Sequence, residues 1–167
     1  ISKSVTADSL QERILSNTLR VDFAAGRTDR FRIGAGAGIR SELRSFGQIM
    51  PGDTLTRPDT VRRKMSSLVL TGKVFNNIGS RFGWSASGDL WFQGYRAGDF
   101  IVDGRIYKEF ETRRRGMITW DATGTIASYT PPFWYYSWGS NNFAWQLDHK
   151  REFRLMAGSS LLWPELK

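Results

Sequence analysis

Arginine is the residue type with the clearest chemical potential in this chain, because eighteen arginines accompany only six lysines. A guanidinium group grips phosphates and carboxylates through a planar fork of donors and also stacks on rings. Lys and Arg outnumber Asp and Glu by 24 to 16, which gives a net charge of +8. This balance predicts a polyanionic partner, most plainly nucleic acid. The candidate phosphate-binding residues are Arg40, Arg44, Arg62, Arg63, Arg113, Arg114 and Arg115.

A dense aromatic segment follows Pro131 and Pro132. If it is a strand, alternation places aromatic side chains on both of its faces. One face can pack on a sheet, so the other requires a cover: the N-terminal third, another subunit or a ligand. Stacking on nucleic-acid bases would use Trp134, Tyr136 and Trp138. A protein partner or a homo-oligomer is the alternative, since interfaces are rich in the same residue types.

The sequence offers few candidate catalytic residues. His149 is the only histidine, and with Glu152 it is the candidate general base of a small metal-independent nuclease or a secreted toxin domain. The chain has no cysteine, so disulfides and thiolate metal sites are excluded. We therefore predict a non-catalytic binding and assembly module, with no metal or cofactor, and leave its compartment open.

Local signals in the first third predict helices. Ser9 and Glu12 have the spacing of a capping box, followed by apolar residues as far as Arg20. A second helix start is predicted at Thr56, running to about Ser66. The glycine-rich stretch at 34–38 admits two interpretations, a loop feeding a short helix or a strand.

Strand signals dominate from Leu68 onward. In Phe100–Phe110 the apolar residues Phe100, Val102, Ile106 and Phe110 alternate with polar ones. Turn signals recur along the rest of the chain, including between 133–138 and 143–147. The predicted fold class is α+β and β-rich: a helical N-terminal third packed on a curved antiparallel sheet or barrel of about seven to nine short strands. We expect one domain over 1–167, with a basic helix-containing segment at 1–66 and an antiparallel β segment at 67–167.

One short stretch has a family resemblance. Ser45–Thr56, with its Pro51-Gly52-Asp53-Thr54-Leu55 turn, resembles the strand–turn–strand of hot-dog-fold dehydratases and thioesterases. The resemblance implies an acyl-thioester enzyme, although the family's early Asp and His have no counterpart here. No apolar run approaches the roughly 18 residues that a membrane-spanning helix requires, so we expect no transmembrane segment. Because the chain begins at Ile1, we expect either a removed leader or a piece of a longer chain.

Overall fold

The computed structural model describes residues 9–28, 31–50, 59–78, 81–112, 116–139 and 144–163. Strands make up almost all of this part of the chain, with one short helix. The elements are β1 (Ser9–Thr28), β2 (Phe31–Met50), β3 (Asp59–Ile78), β4 (Phe82–Gly94), β5 (Phe100–Thr112), β6 (Gly116–Tyr129), α1 (Phe133–Tyr136), β7 (Ser137–Gly139), β8 (Ala144–Gln146) and β9 (Glu152–Leu162).

Seven strands form one antiparallel sheet in the order β1-β2-β3-β4-β5-β6-β9. Strands β7 and β8 pair with each other as a small hairpin. Each of the first six strands therefore pairs with its neighbours in the sequence. Within the described ranges, no helix is long and apolar enough to cross a membrane.

The prediction of a helical N-terminal third was wrong, because 9–28 and 59–78 are long strands. From Leu15 to Phe23 apolar residues occupy every second position apart from Asn17, which is the period of a strand. The capping-box spacing at Ser9 and Glu12 was a local coincidence that the pairing with β2 overrides. Only the start of the second predicted helix, 56–58, lies outside the described residues.

The glycine-rich stretch is the middle of β2, so its strand interpretation is the one that the structure supports. Gly38 lies opposite Arg20 on β1. A Cβ atom placed on Gly38 would lie 2.5 Å from the backbone oxygen of Leu19. The missing side chain thus allows β1 and β2 to approach closely at this position.

One further expectation is corrected in detail. The predicted strand at 133–138 is a helical turn, α1, and extended backbone begins only at Ser137. The segment that resembles hot-dog enzymes contributes its first half, 45–50, to the end of β2, and its second half, 51–56, lies outside the described residues. The prediction of antiparallel β structure is confirmed for the described strands, and the strand predicted for 100–110 lies within β5.

One surface of the sheet, the apolar face, carries large aliphatic and aromatic side chains on all seven strands. A row of directly paired residues crosses five strands: Leu19, Ile39, Leu70, Leu90 and Phe100. The other exposed members include Leu15, Val21, Phe23, Ile33, Leu43, Val74, Val102, Ile106, Phe110, Ile126, Phe153, Leu155 and Leu161. Leu19 is 78% exposed and Leu155 is 68% exposed. This face therefore lies uncovered from edge to edge.

The opposite surface, the polar face, carries the acidic side chains and their arginine partners. Alternation along the strands places there every strand carboxylate whose side chain the structure describes: Glu12, Asp22, Glu42, Asp89, Asp103, Glu109, Glu111, Asp121 and Glu152. Cross-strand partners satisfy several of them. Arg105 binds Asp121 at 2.7 Å, and the Thr125 hydroxyl donates to Asp103 at 2.6 Å. The two surfaces of the sheet thus differ sharply in chemistry.

The connections are also asymmetric. Strand pairs β1–β2, β3–β4 and β5–β6 are joined at one end of the sheet by breaks of only a few residues. At the other end, longer connections join β2 to β3 and β6 to β9. We call the first the short-turn end and the second the long-loop end. The fully buried side chains Val69 and Asp99, with Phe46 and Trp91, lie toward the long-loop end.

Candidate functional site

A network of charged side chains, the charged cluster, lies on the polar face toward the long-loop end. It consists of Arg40, Glu42 and Arg44 on β2, with Asp89 and Trp91 on β4. Arg40 bridges two carboxylates, at 3.0 Å from Glu42 and 2.8 Å from Asp89. Arg44 binds Glu42 at 3.3 Å and Glu12 of β1 at 3.1 Å. Alternate residues on β2 thus hold three strands together through their charges.

Glu42 is the centre of the cluster. Its side chain is 8% exposed, and besides the two arginines it accepts a hydrogen bond from the Trp91 indole N–H at 3.2 Å. The Trp91 ring also lies beside two guanidinium groups, 4.0 Å from that of Arg96 and 5.5 Å from that of Arg40. A buried carboxylate is tolerated only with such compensation. The charges of the cluster are therefore compensated by one another.

The long connection between β6 and β9, residues 130–151, is the covering segment. Its helix α1 brings Phe133 and Trp134 against Phe46 of β2, with ring centroids 5.0 and 5.6 Å away. Since Phe46 lies on the polar face, the covering segment packs over that face beside the charged cluster. Its hairpin is closed by Trp138 and Trp145, whose rings stack at 5.6 Å.

Asp99 anchors both ends of the covering segment. This carboxylate, 0% exposed in the turn between β4 and β5, accepts hydrogen bonds from the Thr130 backbone N–H and hydroxyl, both at 2.8 Å. It also pairs with Arg96 at 2.7 Å and lies 3.7 Å from Arg151. Arg151 in turn donates to the backbone oxygen of Ala97. One buried side chain therefore connects the first and last residues of the connection.

Two tyrosines near this anchor have altered acidity. Burial raises the pKa of Tyr95, and the neighbouring Tyr136 adds to the effect. The Tyr95 hydroxyl is buried and has no hydrogen-bond partner among the described residues. Burial also raises the pKa of Tyr136, which donates weakly to the backbone oxygen of His149 at 3.3 Å. Both hydroxyls are therefore neutral over the physiological pH range.

Comparison with known proteins places the chain in a family. A family profile described as "Putative porin" matches residues 2–166, almost the whole sequence. The chain belongs to this porin family. Searches of curated proteins and of solved structures found no match. Among the described residues, no group of His, Asp and Glu side chains could hold a metal ion.

The predicted phosphate-binding arginines occupy different surfaces of this porin-family chain. Arg40 and Arg44 belong to the charged cluster and are bound to carboxylates. Arg62 and Arg63 are exposed neighbours on β3, with Arg62 on the apolar-face side and Arg63 on the polar face. Arg113, Arg114 and Arg115 lie outside the described residues. The structure thus gathers only Arg40 and Arg44 into one site.

The predicted aromatic residues lie together in the covering segment. Trp134 packs edge-on against Phe46, while the Trp138 ring is stacked on Trp145. The Tyr136 ring contacts the His149 ring at 5.5 Å. These contacts occupy ring surfaces that base stacking would use, so the segment is packed mainly against its own porin-family chain.

His149 and Glu152, the weak catalytic candidates, have separate surroundings. The His149 ring contacts the rings of Tyr135 and Tyr136. The Glu152 carboxylate accepts a 2.6 Å hydrogen bond from the Tyr129 hydroxyl. Catalysis by this pair stays an untested prediction.

The carboxylates that organise the charged cluster and the anchor, Glu42, Asp89 and Asp99, were not among the site residues predicted from the sequence. Glu42 and Asp89 are 47 positions apart in the sequence, and only the strand register brings them to one arginine. A usable signal was present, however. Arg40, Glu42 and Arg44 alternate with Ile39, Ser41 and Leu43, which is the pattern of a strand with one polar and one more apolar face.

Proposed function

We propose that this chain forms part of the wall of a membrane pore, with the apolar face against lipid and the polar face lining an aqueous passage for small hydrophilic solutes. Membership of the porin family supports this proposal. The observation that carries it is the separation of side chains between the two faces of the sheet. Described strand carboxylates occur on the polar face alone, while the apolar face is exposed on every strand.

The exposed area is hard to explain in water. Soluble monomers rarely expose contiguous apolar patches larger than a few hundred Å². Here the apolar face extends across seven strands, and Leu19, Phe23 and Leu155 are each at least two-thirds exposed. In a sheet that spans a membrane, alternating residues face lipid and water in this way. Contact with lipid would remove the free-energy cost of exposing these apolar side chains to water.

The height of the apolar face fits a bilayer. On β5 the residues of this face run from Phe100 to Phe110, with Gly104 and Lys108 among them, over about ten residues or about 34 Å along the strand. A tilt of about 40° reduces this to about 26 Å, close to the apolar band of roughly 25 Å in membrane-spanning sheets. Aromatic rings mark both ends of the band, Phe100 and Phe153 at one and Phe110 and Trp120 at the other. Such rings are typical of the two lipid–water interfaces.

The connections support the same orientation. Membrane-spanning sheets of porins have short turns at the inner end and longer connections at the outer end. The short-turn end would then face inward, and the long-loop end, with the covering segment and the charged cluster, would face outward. In this arrangement the covering segment narrows the passage beside Glu42 and its arginines.

The absence of cysteine allows a direct test with adjacent positions. Val102 on the apolar face and Asp103 on the polar face would be replaced singly by cysteine, and the full chain reconstituted in vesicles. We expect a charged, water-soluble thiosulfonate to modify the Asp103→Cys variant and reduce ion flux through the vesicle membrane. The Val102→Cys variant should resist modification, because lipid excludes a charged reagent. Equal modification of both positions, or no ion flux with the unmodified chain, would contradict the proposal.

Nucleic-acid binding receives less support from the geometry. Arg40 and Arg44 are already neutralised by Glu12, Glu42 and Asp89. A phosphate would have to displace those carboxylates, which are themselves partly or largely buried. The pore is therefore the function that we favour.

A further inference from the structure

Three basic side chains lie on the apolar-face side of the sheet at its long-loop end. On β1 the apolar face ends at Leu15, and the next residue on that side is Arg13. On β3 the corresponding positions are Lys64 and Arg62, and Arg13 and Lys64 both pair with Ser45 of β2. We call Arg13, Arg62 and Lys64 the basic rim. It lies at the long-loop end, immediately beyond the apolar face.

The basic rim differs from the arginines of the polar face. All three side chains are exposed, and no ion pair joins any of them to a carboxylate within the described ranges. No described strand carboxylate lies on their side of the sheet. By contrast, Arg40, Arg44 and Arg105 on the polar face are each bound to an acid. The rim thus holds positive charge that no described strand carboxylate on this side of the sheet compensates, and Lys108 of β5 is a further cation on this side.

A groove lies beside the basic rim. It has a volume of about 510 Å³, and its lining includes Arg13 and Lys64 on either side of the small Ser45, together with Leu15, Leu43 and Ser66. One end of the groove is therefore cationic, and the other is aliphatic and continuous with the apolar face. An anionic group attached to a hydrocarbon chain matches both ends.

We propose that the basic rim binds the phosphorylated headgroup of an anionic lipid, with an acyl chain lying over Leu15 and Leu43. The proposal rests on the membrane orientation proposed above, in which this level of the sheet meets the lipid headgroups. Arginine and lysine at such a level attract anionic lipids, and guanidinium groups bind phosphate oxygens through paired hydrogen bonds. Continuity of the groove with the lipid-facing surface favours a lipid over a second copy of the chain.

The test compares two adjacent arginines that point to opposite sides of β3. Arg62→Gln removes a rim charge, and Arg63→Gln removes the same charge from the polar face. The full chain in mild detergent would be titrated with phosphatidylglycerol, and with neutral phosphatidylcholine as reference, and bound lipid counted by native mass spectrometry. We expect Arg62→Gln to weaken phosphatidylglycerol binding about fivefold, the effect of one basic residue at a membrane surface. Arg63→Gln should leave binding unchanged.

A combined Arg13→Gln, Arg62→Gln and Lys64→Gln variant should lose the preference for phosphatidylglycerol over phosphatidylcholine. Equal affinity in the Arg62 and Arg63 variants would overturn the proposal. So would a change of oligomeric mass in the combined variant with lipid affinity retained, because the rim would then be a contact between copies. If the cysteine test shows a pore while the rim variants keep their lipid affinity, this inference alone fails. If the unmodified chain does not insert into vesicles, both proposals fail.

Discussion

Replacing Asp99 by asparagine should release the covering segment from the sheet. The carboxylate is fully buried and accepts two hydrogen bonds from Thr130 while pairing with Arg96. Asparagine keeps the shape and one carbonyl oxygen, which can still accept from Thr130. Its NH₂ group would then face the Arg96 Nε–H, originally 2.7 Å from the carboxylate. Two donors would oppose each other, and Arg96 would lose its counter-charge.

The magnitude follows from these contacts. A hydrogen bond to a charged group contributes about 1.5–3 kcal/mol, and an unpaired buried donor costs about 1–3 kcal/mol more. Because these effects are not additive, we expect Asp99→Asn to lower the free energy of unfolding by about 3 kcal/mol. Denaturant unfolding in detergent, followed by tryptophan fluorescence, would measure it. The covering segment itself carries Trp134, Trp138 and Trp145 as reporters.

Asp103→Asn is the matched control, since Asp103 is exposed on β5 and accepts a hydrogen bond from Thr125. Its replacement should change the free energy of unfolding by no more than about 0.5 kcal/mol. If the Asp99 and Asp103 variants unfold at the same denaturant concentration, Asp99 does not anchor the covering segment, and our account of the long-loop end is wrong.

Two further substitutions test the packing. Burial raises the pKa of Tyr95, so the stability that its neutral hydroxyl contributes is complete below the ordinary pKa of about 10 and is lost as pH rises above that value. Tyr95→Phe should reduce this loss of stability at alkaline pH and should change the free energy of unfolding little at neutral pH. Denaturant unfolding measured at a series of pH values would test this. Gly38→Ala should destabilise the sheet by about 1–3 kcal/mol through its contact with the Leu19 oxygen. Gly72→Ala, whose added Cβ meets nothing within 4 Å, is its control; equal effects would refute the close approach of β1 and β2.

How far the sequence predicts this fold depends on how local the signal is. The alternation at 100–110 identified a strand correctly, because Phe100, Val102, Ile106 and Phe110 follow a period of two rather than the period of a helix. In β1 the same period occurs between Leu15 and Phe23, but the neighbouring Leu10, Ile14 and Leu15 also fit a helical stripe. Because both interpretations were open, the capping-box spacing led to the wrong prediction of a helix. Pairing with β2 makes this segment a strand, and that long-range pairing cannot be inferred from the local sequence.

The candidate site was predictable only in part. The sequence singled out Arg40 and Arg44, but their carboxylate partners depend on the register of β1, β2 and β4. The sequence pattern also does not show whether water or lipid contacts each face of the sheet. Alternation shows that Val102 and Asp103 point to opposite sides; whether water or lipid meets Val102 depends on the surroundings of the whole sheet.

The order of the strands also bears on how the sheet assembles. From β1 to β6 each strand pairs with the one just before it in the chain, so the sheet can grow hairpin by hairpin with short loop closures. The final pairing of β6 with β9 instead closes a connection of about 20 residues, which costs about 2 kcal/mol more chain entropy than a turn of about three. Asp99, by holding Thr130 and approaching Arg151, draws the two ends of that connection together. The anchor thus offsets the largest entropic cost in the assembly of the sheet.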